Sequence, residues 1–261
     1  MSLPEPIQAR IEGKTGHTDK IGMSGSSITL FDDCVLKIED VTPYTEGTVA
    51  LMGWLEQRIP TPKVLYHEII SGKSYLLMSR IPGRMSCDEV YLSHPQLLVR
   101  ILAEGIHLLW NTDPTGCPRI RTLPHLLEEA RYRVEQGLVD MENVEPETFG
   151  KKGFRDPHHL LQWLEAHPVP SVPVLTHGDY CLPNVFARED RFSGFVDVGD
   201  GGIGEKWRDI ALCYRSLRHN TDGSYGGPPI PDFDPMLLFQ ALGIEPDWDQ
   251  IRYHLLLDEL F

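Results

Sequence analysis

Apolar and polar positions follow two different rhythms along this chain, and the change comes near residue 80. Before it the apolar runs are short. Thr29-Leu-Phe31 and Cys34-Val-Leu-Lys-Ile-Glu39 flank an Asp32-Asp33 pair, the pattern of two strands joined by an acidic two-residue turn. Lys63-Val-Leu-Tyr66 and Ser74-Tyr-Leu-Leu-Met78 read as two further strands. Between the pairs, Pro43 to Arg58 has helical spacing, with Leu51, Met52, Trp54 and Leu55 on one broad apolar face. Ile59-Pro-Thr-Pro62 stops that helix. Ser79-Arg-Ile-Pro-Gly83 then breaks the pattern and reads as a hinge whose exposed backbone groups suit the edge of a flat base. Beyond it helical spacing dominates. Pro95–Trp110 places Leu98, Ile101, Leu102 and Leu109 on one face, widened by Leu97 and Ile106. Leu123–Gln136, Pro157–Ala166 and Lys206–His219 also read as helices. The pattern predicts an α/β (α+β) chain in two lobes. A small antiparallel sheet with one helix spans about residues 1–80, and a mainly helical lobe spans 81–261.

One stretch of the second lobe departs from the helical rhythm. Val174-Leu175 and Val185-Phe186 are strand-like, and between them lies His177-Gly178-Asp179, four residues, then Asn184. A further short apolar run, Gly194-Phe-Val, ends in Asp197. This predicts a tight loop that brings two carboxylates and an amide to one point. Phosphoryl transfer uses that set: one Asp accepts the proton of an attacking hydroxyl, and an Asn and a second Asp hold the Mg2+ that carries the nucleotide phosphates. Each residue alone is an ordinary turn residue. Their order and spacing follow the H-R-D-x-x-x-x-N loop and later D-F-G acid of protein kinases, with Gly178 in place of the arginine and Val198-Gly199 after the second acid. His177 reads as structural, tying the loop through its ring nitrogens.

The first lobe offers matching parts. Lys20–Ile28 is rich in small residues, which let backbone approach phosphates closely. Lys37 follows it, in an apolar strand between Leu36 and Ile38. Kinase folds place their phosphate-pairing lysine there; an edge-strand lysine facing water is the plain alternative. Glu46, in the first turn of the predicted helix, is placed either to pair with Lys37 or only to complement the helix dipole.

Three apparent nucleotide motifs fail on context. Gly13-Lys14-Thr15 and Gly72-Lys73-Ser74 end like P-loops, but Gln8 and His67 stand where the first glycine is required. Gly199-Asp-Gly-Gly-Ile-Gly204 has the G-x-G-x-x-G spacing, yet no βαβ unit with a second parallel strand follows it, and Asp197 would repel a pyrophosphate.

Composition narrows the partners. The 261 residues suit one domain of two lobes or two small domains, and 41% hydrophobic content supplies a core. No apolar run is long enough to span a bilayer, and the N-terminus lacks a secretory pattern. Five cysteines without a C-x-x-C pair indicate neither zinc nor a disulfide framework, and point to a reducing, cytoplasmic compartment. The formal charge is −14, from 24 Lys and Arg against 38 Asp and Glu, with no basic stripe. Nucleic acid is therefore not an expected partner. An acidic field concentrates cations, although solubility alone makes many chains acidic.

With these residues in view the chain resembles the aminoglycoside phosphotransferases, most closely those acting on the 3′-hydroxyl of kanamycin-type antibiotics. The resemblance runs from about Lys20 to Phe261. It rests on His177-Gly-Asp-x4-Asn184, Ser193-Gly-Phe-Val-Asp-Val-Gly199, Lys206-Trp-Arg-Asp-Ile-Ala211, Leu257-Asp-Glu-Leu-Phe261, Pro60-x-Pro-Lys-Val-Leu65 and Leu76-Leu-Met-Ser79. It implies a protein-kinase-like fold, ATP with Mg2+, and a cationic aminoglycoside as substrate. It also implies roles. Asp179 is the base, Asn184 and Asp197 bind magnesium, and Lys37 holds the phosphates beneath a flap that includes Ser26 and Ser27. Backbone at Ser79 and Ile81 meets adenine. Glu142, Asn143, Glu145, Asp258, Glu259 and the Phe261 carboxylate match positions that hold the antibiotic's ammonium groups, and Asp209 matches a structural aspartate. The departures are specific. The family's helix glutamate aligns with Thr48, two residues past Glu46; Val35 replaces an aromatic that stacks on adenine; Asp200 replaces a basic residue; and His219 replaces an acid of the antibiotic pocket. Two other readings remain open: a kinase of another cationic amino-alcohol or sugar, and a nucleotide-binding module without turnover.

Overall fold

A computed structural model of the chain describes residues 3–19 and 26–261. Most of the predicted small-residue loop, residues 20–25, lies outside the described residues.

The chain opens with a short helix, α1 (Glu5–Ile11), and a five-stranded antiparallel sheet. Its strands are β1 (His17–Asp19), β2 (Ser27–Leu30), β3 (Cys34–Asp40), β4 (Val64–Ile70) and β5 (Lys73–Ser79), in the order β1-β2-β3-β5-β4. The acidic turn is where the sequence put it: Leu30 pairs with Val35, and the Phe31 N–H bonds the Cys34 carbonyl at 2.9 Å. Strand β2 begins two residues earlier than the apolar pattern suggests, so Ser27 pairs with Ile38 and Ile28 with Lys37. One helix, α2 (Thr45–Leu55), crosses this half of the chain and buries Leu51, Met52 and Leu55.

The remainder is built on helices. These are α3 (Glu89–Leu92), α4 (Pro95–Asn111), α5 (Leu123–Glu135), α6 (Pro157–Ala166), α7 (Lys206–Thr221), α8 (Leu237–Leu242) and α9 (Trp248–Asp258). The predicted helices recur within a few residues of their bounds. Periodicity did not reveal the short strands between them: β6 (Arg84–Met85), β7 (Ile120–Arg121) and β11 (Gly202–Glu205). They join β8 (Pro173–Thr176), β9 (Val185–Arg188) and β10 (Arg191–Phe195) in two small sheets, β10-β9-β6 and β7-β11-β8. The second half of the G-x-G-x-x-G segment is thus β11, parallel to β7 and antiparallel to β8, with no crossover helix between Asp197 and that strand.

Helix α4 is the floor of the second half. Leu98, Ile101, Leu102, Ile106 and Leu109 are all buried on it. Gly105 lets the next layer close: a Cβ there would lie 2.3 Å from the Tyr180 hydroxyl, which donates to the Leu102 carbonyl at 2.7 Å. Tyr180 and Phe195 stack edge to face above it with His177, so the loop predicted to carry the chemistry rests on an aromatic cluster fixed to α4. Among the described residues, no helix is long and apolar enough to cross a membrane.

Candidate active site

The loop between β8 and β9 is fixed from every side. Asp209 on α7 is buried and accepts the N–H of His177 at 2.7 Å and of Gly178 at 2.9 Å. His177 Nε2 meets the Val196 carbonyl at 2.9 Å, and its Nδ1 faces the Asp179 N–H at 3.3 Å. That network makes Nε2 the protonated nitrogen and His177 a brace. Leu182 is held at both ends, its N–H by Ser216 Oγ at 3.0 Å and its carbonyl by Ser86 Oγ at 2.8 Å. Gly178 has φ +85°, and a Cβ on it would sit 2.0 Å from the Asp200 carbonyl oxygen. The turn that follows Asp197 therefore lies directly on this glycine, which explains why no arginine stands there.

Asp179 emerges from this frame partly buried. Asn184 Nδ2 donates to its Oδ2 at 2.8 Å and to its carbonyl at 3.0 Å. Burial pushes the Asp179 carboxyl pKa up; His177 opposes the shift, and Asp258, Asp200 and Asp197 add to it. A raised carboxyl pKa suits a group that must take a proton from a hydroxyl. Asp197 lies across from it. Its φ of 53° is left-handed, an uncommon conformation for a residue with a side chain, and its carboxylate is 63% exposed.

Lys37 projects from β3 toward the same point. Its Nζ lies 2.9 Å from Glu39 and 4.0 Å from Asp197. Burial acts to lower its pKa, but Asp197 and Glu39 outweigh that and hold the ammonium above its ordinary value. The partner anticipated on the helix does not meet it. Glu46 is exposed in the first turn of α2, and Lys37 turns to Glu39, two residues along its own strand and so on the same face of the sheet. Ser26 immediately precedes β2, and Ser27 is on it beside the Ile28–Lys37 pair, so both flank the lysine. At the predicted hinge, the Ser79 N–H already bonds the Lys63 carbonyl at 2.9 Å, and its Oγ accepts the Lys63 N–H at 2.9 Å. Ser79 therefore has no N–H to offer a base. Ile81 is buried just beyond it.

A cleft of about 630 Å3 is lined by Asp258, whose partner Arg208 also bonds the Gly178 carbonyl of the loop. Asn143, Glu145, Asp258, Glu259 and Phe261 all line it, so five of the six residues proposed from sequence to face a cation are brought together. Glu142 is exposed on the same loop and is outside the lining. Two of these carboxylates are already committed. Asp258 receives Arg208 at 2.8 Å and Arg215 at 2.5 Å. Burial works against its ionisation, yet the two guanidinium groups outweigh burial and hold its pKa below the usual carboxylate range. Glu259 accepts the Glu145 N–H at 2.8 Å and faces Arg215 at 3.5 Å; burial pushes its pKa up. Asp258 therefore lines the cleft with its charge already matched by two arginines. His219 Nε2 is 3.6 Å from Glu145, and its ring meets Tyr225 edge to face at 5.2 Å.

The matching order of loop, amide and second acid, on one rigid frame, is that of phosphoryl-transfer enzymes, and comparison with known proteins agrees. Residues 35–254 match the sequence model of the Phosphotransferase enzyme family. The chain belongs to the phosphotransferase enzyme family. An aminoglycoside 3′-phosphotransferase of Staphylococcus aureus is 37% identical over 273 residues, covering 100% of this chain and 99% of that protein. One of Enterococcus faecalis is 38% identical over 215 residues, 81% of this chain and 76% of that protein. Among solved structures, an aminoglycoside 3′-phosphotransferase of type VIII superposes with a TM-score of 0.78 at 25% identity, covering 98% of this chain and 96% of that one. The fold is thus that of a kinase-type phosphotransferase.

The phosphotransferase site includes residues that sequence reasoning missed. Arg208 links Asp258 to the Asp179 loop, donating from Nε to the Gly178 carbonyl at 3.1 Å. Asp140 lines the cleft and caps its loop, accepting the Glu142 N–H at 2.9 Å and Asn143 Nδ2 at 2.7 Å. Asp140-Met-Glu-Asn143 carries the Asx-turn signal that would have revealed it. Tyr225 and Arg215 came without a local signal. As for magnesium, the donors present are hard oxygens. With Asn184 Nδ2 committed to Asp179, its Oδ1 and the open Asp197 carboxylate remain. Among the described residues no cluster of three or more His, Cys, Asp or Glu forms a dedicated cage. That sparse, oxygen-only set fits Mg2+, which takes one or two protein ligands and keeps its remaining positions for phosphates and water.

Proposed function

We propose that this phosphotransferase moves the γ-phosphoryl group of ATP to a hydroxyl of an aminoglycoside, the 3′-hydroxyl by analogy with the relatives above, and so confers resistance to the antibiotic. The observation that carries the reading is the Asp179 carboxylate, braced by Asn184 and Asp209-held backbone, standing beside a cleft lined by Asp140, Glu145, Asp258, Glu259 and the chain's last residue.

The chain's own groups then divide the work. Lys37, kept protonated by Asp197 and Glu39, holds phosphate oxygens beneath the Ser26–Ser27 edge. Ile81 and the Ser79 carbonyl border the base. Asn184 and Asp197 hold Mg2+, which when bound neutralises charge on the β- and γ-phosphates. Asp179 orients the acceptor hydroxyl and takes its proton. Positioning and charge neutralisation supply most of the rate, because the hydroxyl is a weak nucleophile. In the cleft, Asp140 and Glu145 carry the carboxylates not already matched by arginine, so they rather than Asp258 bear the main contact with ammonium groups. Five free cysteines are consistent with action in a reducing, cytoplasmic compartment.

The test is a phosphorylation assay of purified protein with ATP, Mg2+ and a panel of aminoglycosides, with the product's phosphate located by NMR. Phosphorylated antibiotic from wild type and a loss on the order of 100-fold or more in kcat for Asp179→Asn are expected. His219, paired with Glu145 in the cleft, favours a narrower antibiotic range. Turnover of another hydroxylated amine with no aminoglycoside turned over would keep the transferase and replace its substrate.

A further inference from the structure

The helix glutamate that would tie α2 to the nucleotide site is missing at Thr48, and Glu46 does not substitute for it. The structure shows another tie at that place. Arg119, at the entry to β7, sends Nη1 to the carbonyl of Gly199, two residues beyond Asp197, and Nη2 toward Thr48 Oγ1 at 3.4 Å. The turn itself lies on the helix: a Cβ on Gly199 would be 3.6 Å from Thr48 Cγ2. Arg119 is anchored in turn, its carbonyl accepting the Ile203 N–H of β11 at 3.0 Å. One residue thus joins three parts, its guanidinium tying the helix of the small lobe to the turn that carries Asp197 and its backbone carbonyl holding the β7-β11-β8 sheet. Burial, and then neighbouring Arg121, push the Arg119 pKa down. Arg121 itself bonds Glu129 and lies 3.8 Å from Asp200. A second basic charge therefore reaches the same turn from β7.

We infer that Arg119 is a positioning residue that sets the Asp197 turn against α2, performing through a two-point bridge what a helix Glu–Lys pair would otherwise do. The inference rests on the reading of Asp197 as the acid that faces the metal. A planar guanidinium can satisfy two acceptors at once, whereas an ammonium cannot do so with the same geometry. Outer partners of a metal-binding group typically cost 10- to 100-fold in metal affinity when removed.

The experiment measures ATP binding by calorimetry across a Mg2+ titration, without any acceptor, alongside thermal melting and steady-state kinetics. Arg119→Met is expected to raise the Mg2+ requirement for ATP binding about tenfold, while metal-free ATP binding and the aminoglycoside KM stay unchanged. Arg119→Lys should shift in the same direction, and it carries the test if the methionine variant fails to fold. Thr48→Val should shift less, and adding it to Arg119→Met should add nothing further, since both remove one contact. An unchanged Mg2+ requirement in Arg119→Met or Arg119→Lys overturns the inference. Full rescue by lysine also overturns it, because charge alone would then suffice. Wild type that phosphorylates no aminoglycoside would remove the proposed substrate, and the Mg2+–ATP comparison would still decide the role of Arg119.

Discussion

Asp258 sits in the acidic tail, where sequence suggests a contact for the substrate, yet its carboxylate is held between Arg208 and Arg215 at 2.8 and 2.5 Å. Asp258→Asn keeps the size of the side chain and removes the charge. Two largely buried guanidinium groups then lose their main counterion, although Arg215 keeps Glu259 at 3.5 Å. Breaking a buried pair by removing one partner costs about 3–5 kcal/mol. At roughly 2–4 °C per kcal/mol for a chain of this size, Tm should fall by about 6–20 °C. The effect should reach the chemistry too, because Arg208 also holds the Gly178 carbonyl beside Asp179. kcat should therefore fall along with stability. The sign with pH follows from the lowered pKa. Asp258 contributes its stabilisation fully above the ordinary carboxyl value, about 3.9, and loses it as pH falls through the lower folded value. The deficit of the variant should be constant from about pH 5 to 8 in urea titrations, and should narrow only in strong acid. A variant with unchanged Tm and kcat and a raised aminoglycoside KM would refute this reasoning and return Asp258 to the substrate.

Four further outcomes are expected. Glu39→Gln should raise the ATP KM severalfold by releasing Lys37, on the order of 1 kcal/mol for one charge-assisted bond, whereas Glu46→Gln should not change it; the opposite ranking in steady-state assays would restore the helix pair. The Asp179 carboxyl is raised by burial, so kcat/KM should decline as pH falls through that raised pKa, and the acid limb should vanish in Asp179→Asn. The same shift means that the folded state binds the proton more tightly than the unfolded one, so stability is lost as pH rises through this window and Asp179→Asn should melt higher than wild type at pH 7. Gly178→Ala meets both a positive φ and the Asp200 carbonyl, and should lower kcat at least as strongly as it lowers Tm; an alanine variant of normal activity would show that the turn yields.

The sequence by itself determined the parts that depend on neighbours a few residues apart. The helical rhythm of Pro95–Trp110 and Pro157–Ala166, the hairpin around Asp32-Asp33, and the meeting of Asp179 with Asn184 were legible because spacing alone puts those side chains on one face or one loop. Only the tertiary structure decided which charges meet. Lys37 turned to Glu39 and not Glu46, because α2 presents its first turn to solvent while the strand's own period brings residue 39 beside residue 37. Asp258 found counterions 50 and 43 residues earlier, and Arg119 found Gly199 80 residues later. Half of a glycine-rich segment became β11 because β7 and β8 lay on either side to accept its hydrogen bonds. A carboxylate's function depends on which cation it faces, and that distance is set by the packing of α7, α9 and the small sheets rather than by any local pattern of residues.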